Sequence, residues 1–438
     1  MMKPEDNELL VRVGPGTPMG NLFRRFWLPI MLISEVATPD GDPVRVRVLG
    51  EEFVAFRESD GRLGLLDAYC THRRAHLFWG RNEKCGLRCV YHGWKFDVDG
   101  NCVDLPNAPD GERIKGNMKT RAYPTMEKGG MIWAFFGPEA LRPQPPSAEV
   151  FEAPDSHRHI IKMVAEGNYL QFAEGDIDSS HVSFLHSTLD SKPPPGSRIT
   201  PFAFQDRSPR WTVKPTDYGL MLAAQRDAGP DDYSWRINQW LLPFATMIAA
   251  PEDAPFTTNI RVPIDDEHSM QFRVWTHPDR PLTVAEQSNA RAGVIFPELI
   301  PGTFETAANR SNNYLINRDE QRHRTFTGIK AIPVQDLAVT QEQGPGPIAD
   351  RSLEKLTSSD IAIVAMRKRM LDSVKALMNG VEPLEARNGQ AYRVRPIDTI
   401  LPRGVTVEEG TRALTMKGVL QGNAGAGANT KDRELAPG

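Results

Sequence analysis

Short runs of alternating apolar and polar residues fill the chain after residue 43. Residues 44–48 read VRVRV, and a period of two is typical of a half-buried β-strand. The runs EEFVAFRE and GRLGLLDA follow, and Asp-Gly pairs at residues 60–61 and 99–100 favour hairpin turns. The apolar segment GGMIWAFFGP closes the pattern. We therefore predict a small all-β domain over residues 43–138, preceded by a Gly- and Pro-containing N-terminal arm over residues 1–42 that packs on the larger domain after residue 138.

The remainder of the chain combines further strand-like runs with helical segments. The Pro-rich segment LRPQPPSAEVFEAP is typical of a linker. About seven strand-like runs follow, among them RWTVKP, SWRINQW and MQFRVW, and the turn clusters between them favour an antiparallel sheet. Between Asp360 and Met378 apolar residues recur at helical spacing. We predict an α+β fold whose larger domain, residues 139–421, has an antiparallel sheet flanked by helices, and a flexible tail over residues 422–438.

The stretch NYLQFAEGDIDSSHVSFLH, residues 168–186, contains a polar stripe. Polar residues recur in it at intervals of three or four, and these are Asn168, Gln171, Glu174, Asp178 and His181. Such intervals place side chains on one face of a helix. The other residues are mostly apolar, so we expect the helix to be buried and the stripe to need partners. His186 can meet His181 if the helix bends or ends there, and two histidines with one carboxylate suit an open non-haem iron(II) site.

The composition is that of an ordinary globular protein and excludes some classes of function. The 438 residues are 40% hydrophobic and 25% charged, with a net charge of −4; this length predicts two domains. The charge gives no attraction for nucleic acid or an anionic membrane. The longest apolar runs are short, and the first ten residues lack the features of a secretory signal. Four cysteines, three of them in one short region, favour a reducing compartment, so we expect a cytoplasmic protein.

Two Cys/His pairs in the first domain suit a metal cluster. They are Cys70-x-His72 and Cys89-x-x-His92, separated by sixteen residues. Each pair can present one thiolate and one imidazole from a tight loop. Zinc accepts two sulfurs and two nitrogens, but its usual spacings put the two cysteines together. A [2Fe–2S] cluster with two cysteines on one iron and two histidines on the other fits the mixed pairs better, and neutral imidazoles raise its reduction potential.

Three other residues near these pairs are given structural roles. Cys85 lies between the pairs but has no histidine at a matching spacing, and Cys102 stands apart from both. His76 is a rival for the place of His72, although a solvated or core histidine is the commoner role.

The same residues carry a resemblance to a known family. The segments CTHR at residues 70–73 and CVYHGW at residues 89–94 resemble the Rieske motif of aromatic-ring oxygenase α subunits. Nearly the whole chain resembles the phthalate 4,5-dioxygenase branch, which also contains phenoxybenzoate dioxygenases and O-demethylases of lignin-derived biaryls. The chain departs from that branch at Thr71, Arg74 and His76, where proline, glycine and serine are usual. A bulky cation at Arg74 is expected to shift the cluster potential or the contact with a reductase.

The resemblance implies roles for residues of the iron site. Chemistry alone leaves the third iron ligand open among Glu174, Asp176, Asp178 and a remote acid. The resemblance implies that Asp178 bridges the mononuclear iron site to the Rieske histidine, His92, of a neighbouring subunit. It implies that Asp360, in the sequence SSDI, is the third ligand beside His181 and His186. A Ser-Ser-Asp segment before an apolar helix is also typical of a helix N-cap.

Four further polar residues are assigned to the surroundings of the iron. By resemblance Asn168 is a polar residue near the iron, while Gln171, Glu174 and Glu342 correspond to residues that hydrogen-bond the ligands. Each of the last three suits a buried structural hydrogen-bonding role equally well.

The resemblance implies a reductase-dependent oxygenase. Each subunit is expected to carry one Rieske [2Fe–2S] cluster and one Fe²⁺, to use dioxygen as co-substrate, and to draw on NAD(P)H only through a separate flavin/iron–sulfur reductase. Homotrimers, sometimes stacked into hexamers, are typical of the family. The expected reaction is dihydroxylation of a phthalate-like aromatic carboxylate, which a guanidinium would anchor. Arg236, in the run SWRINQW, and Arg207 are the candidate anchors, although most sheet arginines are solvated or salt-bridged.

Two other functions remain open at this point. The same iron machinery supports O-demethylation or monooxygenation of a methoxylated, biaryl or diaryl-ether aromatic acid. An alternative of another class is a Rieske electron carrier fused to a ligand-binding domain, which the predicted iron site argues against.

Overall fold

The computed structural model of the chain describes residues 2–193, 199–291, 293 and 295–417. The predicted flexible tail, residues 422–438, lies outside the described residues. The strands are β1 (Trp27–Leu32), β2 (Val44–Val48), β3 (Glu51–Arg57), β4 (Leu63–Asp67), β5 (Arg81–Asn82), β6 (Leu87–Arg88), β7 (Lys95–Phe96), β8 (Cys102–Asp104), β9 (Thr125–Lys128), β10 (Met131–Phe135), β11 (Arg158–Glu166), β12 (Arg210–Thr216), β13 (Gly219–Asp227), β14 (Asp232–Leu241), β15 (Ala245–Ile248), β16 (Phe256–Pro263), β17 (His268–Thr276) and β18 (Ile397–Pro402). The helices are α1 (Pro4–Val11), α2 (Pro18–Phe23), α3 (Gly111–Ile114), α4 (Glu149–Glu152), α5 (Tyr169–Ile177), α6 (Val182–Leu185), α7 (Phe202–Gln205), α8 (Val284–Arg291), α9 (Arg318–His323), α10 (Ile332–Gln341), α11 (Ile361–Met378), α12 (Leu384–Arg387) and α13 (Val407–Thr415).

Small antiparallel sheets form the first part of the chain. Strands β2–β3–β4 make one sheet, β5–β6–β7–β8 a second, and β1–β10–β9 a third. In β2 the valines at 46 and 48 are buried and the arginines at 45 and 47 are exposed, as the alternation predicts. Strand β1 comes from the segment predicted as an N-terminal arm and pairs with β10, so the chain reaches back to close this region.

One large antiparallel sheet organises the second part. Its order is β11-β17-β16-β15-β14-β13-β12, and β18 pairs with β14 beside β15. The α+β fold class, with small antiparallel sheets and a larger sheet flanked by helices, is thereby confirmed. Strands β14, β16 and β17 are buried along almost their whole length, and helix α5 packs against β15 and β16.

Helix α5 lies at the centre of the second part. It begins at Asn168, whose side chain accepts from the Leu170 N–H at 3.1 Å in an N-cap. Its apolar residues join the main core, where the Tyr169 ring meets the Phe23 ring edge-on at 4.9 Å and the Tyr169 hydroxyl donates to the Leu10 carbonyl. Fully burying one such side chain contributes about 1.5–3 kcal/mol, so the N-terminal helices hold α5 in place.

Among the described residues, no helix combines the length and the apolar character that crossing a membrane requires.

Candidate active site

His181 and His186 meet because the predicted long helix breaks. Helix α5 ends at Ile177, and α6 begins only at Val182. At the break, Asp178 accepts hydrogen bonds from the Ser180 backbone N–H at 2.7 Å and from the Ser180 hydroxyl at 2.6 Å, a local arrangement that competes with helix continuation. The two histidines flank α6, and their Nε2 atoms lie 3.2 Å apart.

Asp336 completes this group. Its Oδ1 lies 3.0 Å from Nε2 of His186 and 3.6 Å from Nε2 of His181. The three potential ligand atoms all lie within 4.8 Å of one another. Asp336 is the one charged residue of α10, in the sequence IPVQDLAVTQ. Two imidazole nitrogens and one carboxylate oxygen converging on a point are the donor set of an open non-haem iron(II) site, so these residues fit the metal that the sequence predicts.

The prediction of Asp360 as the third ligand is corrected by this geometry. The Asp360 carboxylate accepts from the Thr357 backbone N–H at 2.7 Å and from the Thr357 hydroxyl at 3.0 Å. The two residues form a reciprocal capping box at the start of α11. Asp360 is outside the group formed by His181, His186 and Asp336. The helix-cap interpretation of the Ser-Ser-Asp segment is therefore the one that the structure supports.

Gln335 hydrogen-bonds a candidate iron ligand, a contact that the sequence did not reveal. Its Oε1 lies 2.8 Å from Nδ1 of His186, and its Nε2 donates to the Ile329 carbonyl at 2.8 Å. Because the amide nitrogen is already used, the oxygen faces His186 and requires a proton on Nδ1. His181 is held in the same way, with its Nδ1 3.3 Å from Oδ2 of Asp178. Both rings therefore direct an unprotonated Nε2 toward the proposed metal position.

Replacing Gln335 with Leu removes the acceptor for His186 while keeping the volume. We expect iron affinity to fall about 10- to 100-fold, because the ring loses its fixed tautomer and orientation. Equilibrium iron binding to the cluster-loaded protein measures the change. Gln335→Glu keeps an acceptor and should retain most of the affinity; equal loss in both variants would contradict the role.

Electrostatics keep both aspartates of the site ionised. Burial alone would raise the pKa of Asp178, but its hydrogen bonds with His181 and Ser180 lower the pKa to about 2. Burial likewise opposes ionisation of Asp336, yet the neighbouring His186 and His181 hold its pKa below the usual range. Both carboxylates are therefore available as anions at neutral pH.

The first three residues of the polar stripe, Asn168, Gln171 and Glu174, have structural roles rather than contacts with His181 or His186. Asn168 donates to the carbonyls of Val11 and Asp266, at 3.0 and 2.7 Å. Gln171 joins α5 to the carbonyl of Thr340 and the N–H of Ala349. These contacts correct the assignment of Asn168 and Gln171 to the surroundings of the iron.

The two glutamates assigned to the same role also have other partners. Glu174 is buried between Arg351, at 2.8 Å, and Arg367, at 2.7 Å. Glu342 is exposed and pairs with Arg310 at 2.7 Å. The hydrogen-bond partners of the candidate iron ligands are instead Asp178 and Gln335.

The predicted cluster residues come together on two similar loops. The Cys70 N–H donates to the Ala75 carbonyl at 2.9 Å, and the Cys89 N–H donates to the Trp94 carbonyl at 2.8 Å. These turns bring the two thiols within hydrogen-bond reach of each other. The rings of His72 and His92 lie 4.4 Å apart. Sulfur thus pairs with sulfur and imidazole with imidazole, as a cluster with one thiolate-bound and one imidazole-bound iron requires.

One unsatisfied atom supports this fit. Nδ1 of His72 is buried and has no hydrogen-bond partner among the described residues. The ring is fixed by stacking on Trp94, with centroids 4.6 Å apart and planes 4° apart. A buried nitrogen without a hydrogen-bond partner is unfavourable. A ligand nitrogen reserved for a metal is expected to lack such a partner. Burial also raises the pKa of the Cys70 thiol to about 11, so its thiolate form would require a bound metal.

Cys102 and His76, which were given structural roles from the sequence, have contacts of their own. Cys102 is buried, with its thiol 3.3 Å from the Asp104 carbonyl. Nδ1 of His76 accepts from the Phe78 N–H at 3.1 Å, and its Nε2 lies 3.0 Å from Arg45. Arg74 takes a left-handed conformation, φ 59°, at the position where the branch has glycine.

An apolar cavity of about 150 Å³ adjoins His181, His186 and Asp336. Its apolar lining includes Val182, Ile199, Ile248, Phe256, Trp275, Ile295 and Ile332. Two arginines, Arg236 and Arg273, also line it. Apolar walls with a few fixed polar groups are typical of a site for a small organic ligand.

The two cavity arginines are buried in different ways. Arg236 lies 3.5 Å from Asp398. Arg273 forms no ion pair within 4.0 Å in the described part of the chain, and its Nε has no hydrogen-bond partner there. Burial and the nearby Arg261 lower the pKa of Arg273 to about 10, which still leaves a cation at neutral pH. No sequence pattern marked Arg273, since it alternates within an ordinary strand, β17.

Arg207, the other predicted anchor, does not line the cavity. It is exposed, lies 4.8 Å over the Phe184 ring and donates to the Ser191 hydroxyl at 2.8 Å. The structure therefore separates Arg207 from the cavity and retains Arg236.

Comparison with known proteins agrees with this arrangement. The Rieske [2Fe–2S] domain family matches residues 26–124, and the family described as LigXa C-terminal domain like matches residues 134–415. The chain is 40% identical over 398 residues to the phthalate 4,5-dioxygenase oxygenase subunit of Pseudomonas putida, covering 87% of this chain and 88% of that protein. The chain belongs to the Rieske oxygenase α-subunit family.

A second relative and one solved structure extend the comparison. The 3-chlorobenzoate-3,4-dioxygenase oxygenase subunit of Comamonas testosteroni is 38% identical over 390 residues, 86% of this chain and 89% of that protein. The crystal structure of dicamba monooxygenase bound to dicamba shares the fold, with a TM-score of 0.56 at 18% identity over 82% of this chain and 98% of that one. The predicted enzyme class is confirmed. As a Rieske oxygenase α subunit, the protein uses a [2Fe–2S] cluster and a mononuclear iron, and the relatives' names as oxygenase subunits imply a separate partner component.

Proposed function

We propose that this Rieske oxygenase dihydroxylates a phthalate-like aromatic carboxylate. The observation that carries the proposal is the placement of His181, His186 and Asp336 at the wall of an apolar cavity that also holds buried guanidinium groups. An aromatic ring suits the apolar walls, and a carboxylate on that ring suits the cations.

The metal ligands of the proposal are named residue by residue. Cys70, His72, Cys89 and His92 would hold the cluster, and His181, His186 and Asp336 the mononuclear iron. When bound, the cluster supplies single electrons and the iron supplies open positions for activating dioxygen. The chain itself orients both iron-binding imidazoles through Asp178 and Gln335 and keeps the Asp336 carboxylate ionised. Residues 43–138 and 139–421 are the proposed domains for these two centres.

Arg273 is the proposed main anchor for the substrate carboxylate. It is a buried cation without a carboxylate partner in the described chain, whereas Arg236 already faces Asp398. An anionic substrate would satisfy Arg273 with charge-assisted hydrogen bonds. Arg236 would act as a second anchor on β14. Holding the carboxylate at these groups leaves the ring among the apolar side chains, next to the candidate iron ligands.

Replacing Arg273 with Met is expected to raise KM for benzoate-type substrates about 100-fold, the equivalent of about 2.7 kcal/mol. Methionine keeps volume and removes the charge. The matched control, Arg207→Met, changes a cation that lies outside the cavity and should leave KM within about twofold. Steady-state oxygen uptake measures KM in both variants. If KM were unchanged in Arg273→Met but raised about 100-fold in Arg236→Met, the anchor would be Arg236 alone.

Asp178 is the proposed link to the cluster of a neighbouring subunit. Its Oδ2 faces His181, and its Oδ1 is held by Ser180. His92 is half-buried and lies beside the exposed Tyr91, with ring centroids 3.9 Å apart, so it is accessible to a second copy. We infer a homotrimer, with a stacked hexamer as its larger form, in which Asp178 of one subunit bonds His92 of the next.

The partner component would be a flavin/iron–sulfur reductase that draws on NAD(P)H. A cytoplasmic location is part of the same proposal and is consistent with four cysteines, all within the described residues, that are free of disulfides.

A substrate screen tests the proposed function. Aromatic acids, methoxylated biaryl acids and neutral aromatics are offered to the iron-loaded protein with a reductase, and substrate-dependent oxygen uptake and products are recorded. The proposal expects uptake with aromatic carboxylates and a dihydrodiol product. Formaldehyde release from methoxylated acids would instead indicate O-demethylation. Cluster reduction without uptake on any aromatic would favour the electron-carrier alternative.

A further inference from the structure

Two turns of the first domain contact each other at Ser59 and Cys85. The first turn, residues 58–62, joins β3 to β4, and β4 leads toward Cys70. The second, residues 83–86, joins β5 to β6, and β6 leads directly into Cys89. The Cys85 N–H donates to the Ser59 hydroxyl at 3.0 Å and ties the two turns together.

Three potential metal ligands converge at this junction. One carboxylate oxygen each from Glu58 and Asp60 and the Cys85 sulfur lie within 4.8 Å of one another. Glu58 and Asp60 also interact directly. Two carboxylates in contact repel each other unless a proton or a cation lies between them.

The Glu58 carboxylate at this junction is buried and incompletely hydrogen-bonded. Its side chain is 0% exposed. Arg62 forms an ion pair with its Oε1, but neither carboxylate oxygen of Glu58 has a hydrogen bond of regular geometry among the described residues. A buried carboxylate with an unsatisfied oxygen is unfavourable. Burial, together with Asp60, raises the pKa of Glu58 to about 7.

The available cation does not complete the site. Arg62 is half exposed and is shared among Glu58, Asp60 and Asp99. One guanidinium therefore faces three carboxylates. A divalent cation bound by Glu58, Asp60 and an ionised Cys85 would, with Arg62, balance the charge of its three ligands.

The turn that carries Cys85 is built from unusual residues. Lys84 and Cys85 both have left-handed conformations, with φ of 46° and 54°, and the Glu83 N–H donates to the Gly86 carbonyl at 3.0 Å. Asn-Gly is the usual pair in such a turn. This turn geometry places the thiol of Cys85 beside the carboxylates of Glu58 and Asp60.

We propose that Glu58, Asp60 and Cys85 form a binding site for one zinc-type divalent cation, separate from both iron centres. One thiolate and two carboxylates are accepted zinc ligands, with water as the fourth. The sulfur disfavours Mg²⁺ and Ca²⁺, which prefer oxygen alone. The bound ion would cross-link the two turns from which the cluster-bearing strands start.

Zinc binding to the iron-loaded protein tests the site. Equilibrium dialysis against Zn²⁺ is followed by zinc, iron and sulfide analysis, and Cd²⁺ is used to detect a sulfur-to-metal charge-transfer band in a difference spectrum. We expect one zinc per chain with unchanged iron, unchanged sulfide and an unchanged cluster spectrum. Cys85→Ser should weaken zinc binding by at least about 100-fold and abolish the cadmium band.

Two further variants sharpen the result. Glu58→Gln should weaken zinc binding comparably, while Asp99→Asn, which changes a carboxylate that also contacts Arg62 but is not among the ligands, should retain affinity within about threefold. The cluster spectrum shows whether each variant has folded. Zinc that binds Cys85→Ser as tightly as the unmodified protein, zinc that displaces iron, or no zinc uptake at all would overturn the proposal.

Discussion

Asp336→Asn is expected to lose the mononuclear iron and to keep the cluster. The amide has no negative charge and is a much weaker ligand for Fe²⁺. In the unmodified chain, Oδ1 of Asp336 lies 3.0 Å from Nε2 of His186, where one ion can bind both. We expect iron affinity to fall at least about 100-fold and substrate turnover to fall in parallel. Iron and acid-labile sulfide analysis measures the first effect, and oxygen uptake the second.

Asp360→Asn is the matched control for this prediction. It makes the same chemical change in the acid that the family resemblance implied as a ligand. Weakening the capping box at Thr357 should cost about 1 kcal/mol of stability, while iron content and turnover stay close to those of the unmodified protein. If Asp360→Asn lost the iron and Asp336→Asn kept it, the correction would be wrong.

Asp178→Asn is expected to separate the two centres functionally. The substitution keeps a side chain of the same size, so both metal sites should load. It removes the charge that orients His181 through Nδ1, at 3.3 Å, and the anionic link proposed between His181 and the neighbouring subunit's His92. We expect the rate of substrate-dependent cluster oxidation to fall by about 100-fold or more. Stopped-flow absorption of the pre-reduced cluster, mixed with substrate and dioxygen, measures this rate.

The control for Asp178 is another acid from the same part of the chain. Asp190 is exposed and pairs with Lys192 at 2.6 Å, so Asp190→Asn should oxidise its cluster at the normal rate. Normal turnover in Asp178→Asn with full iron and sulfide content would remove Asp178 from the electron path. Loss of the mononuclear iron in the same variant would show instead that Asp178 acts only by holding His181.

The features that sequence predicted well are local in the chain. The valine–arginine alternation of β2 directly encodes a half-exposed strand. The Cys/His pairs each lie within one tight loop, so spacing alone brings thiol and imidazole together. The separation of five residues between His181 and His186 also suggested a helix break, and the Asp178–Ser180 hydrogen bonds provide it.

The third ligand was missed because Asp360 and Asp336 are both acids associated with an apolar helix, and the sequence does not show which of them faces the histidines. Asp360 stands before an apolar helix and matched the family pattern, yet Thr357 three residues earlier makes it a cap. Asp336 is the one charged residue of helix α10, which is otherwise mostly apolar and buried, and its partly buried carboxylate lies against His186. That isolated charge within IPVQDLAVTQ was the available signal. Gln335, beside it in sequence, carries no charge and gave none.

Long-range partners explain the remaining errors. Glu174 bonds Arg351 and Arg367, residues separated from it by 177 and 193 positions. No local spacing shows that these cations arrive at the same buried point. The stripe on α5 therefore correctly predicted burial and a need for partners, but not which partners. Arg273 was missed for the converse reason, since only the tertiary structure shows that this strand arginine lines the cavity and has no ion pair within 4.0 Å among the described residues.

Isotope-labelled oxygen uptake with an aromatic carboxylate tests the central claim most directly. The iron-loaded protein, its reductase and a phthalate-type acid are supplied with ¹⁸O₂, and the product is analysed by mass spectrometry. We predict substrate-dependent uptake with both labelled atoms in a dihydrodiol that keeps its carboxylate, and loss of this product in Asp336→Asn. Absence of labelled product from every aromatic carboxylate, in protein that retains the cluster and the additional iron, would contradict the proposed function.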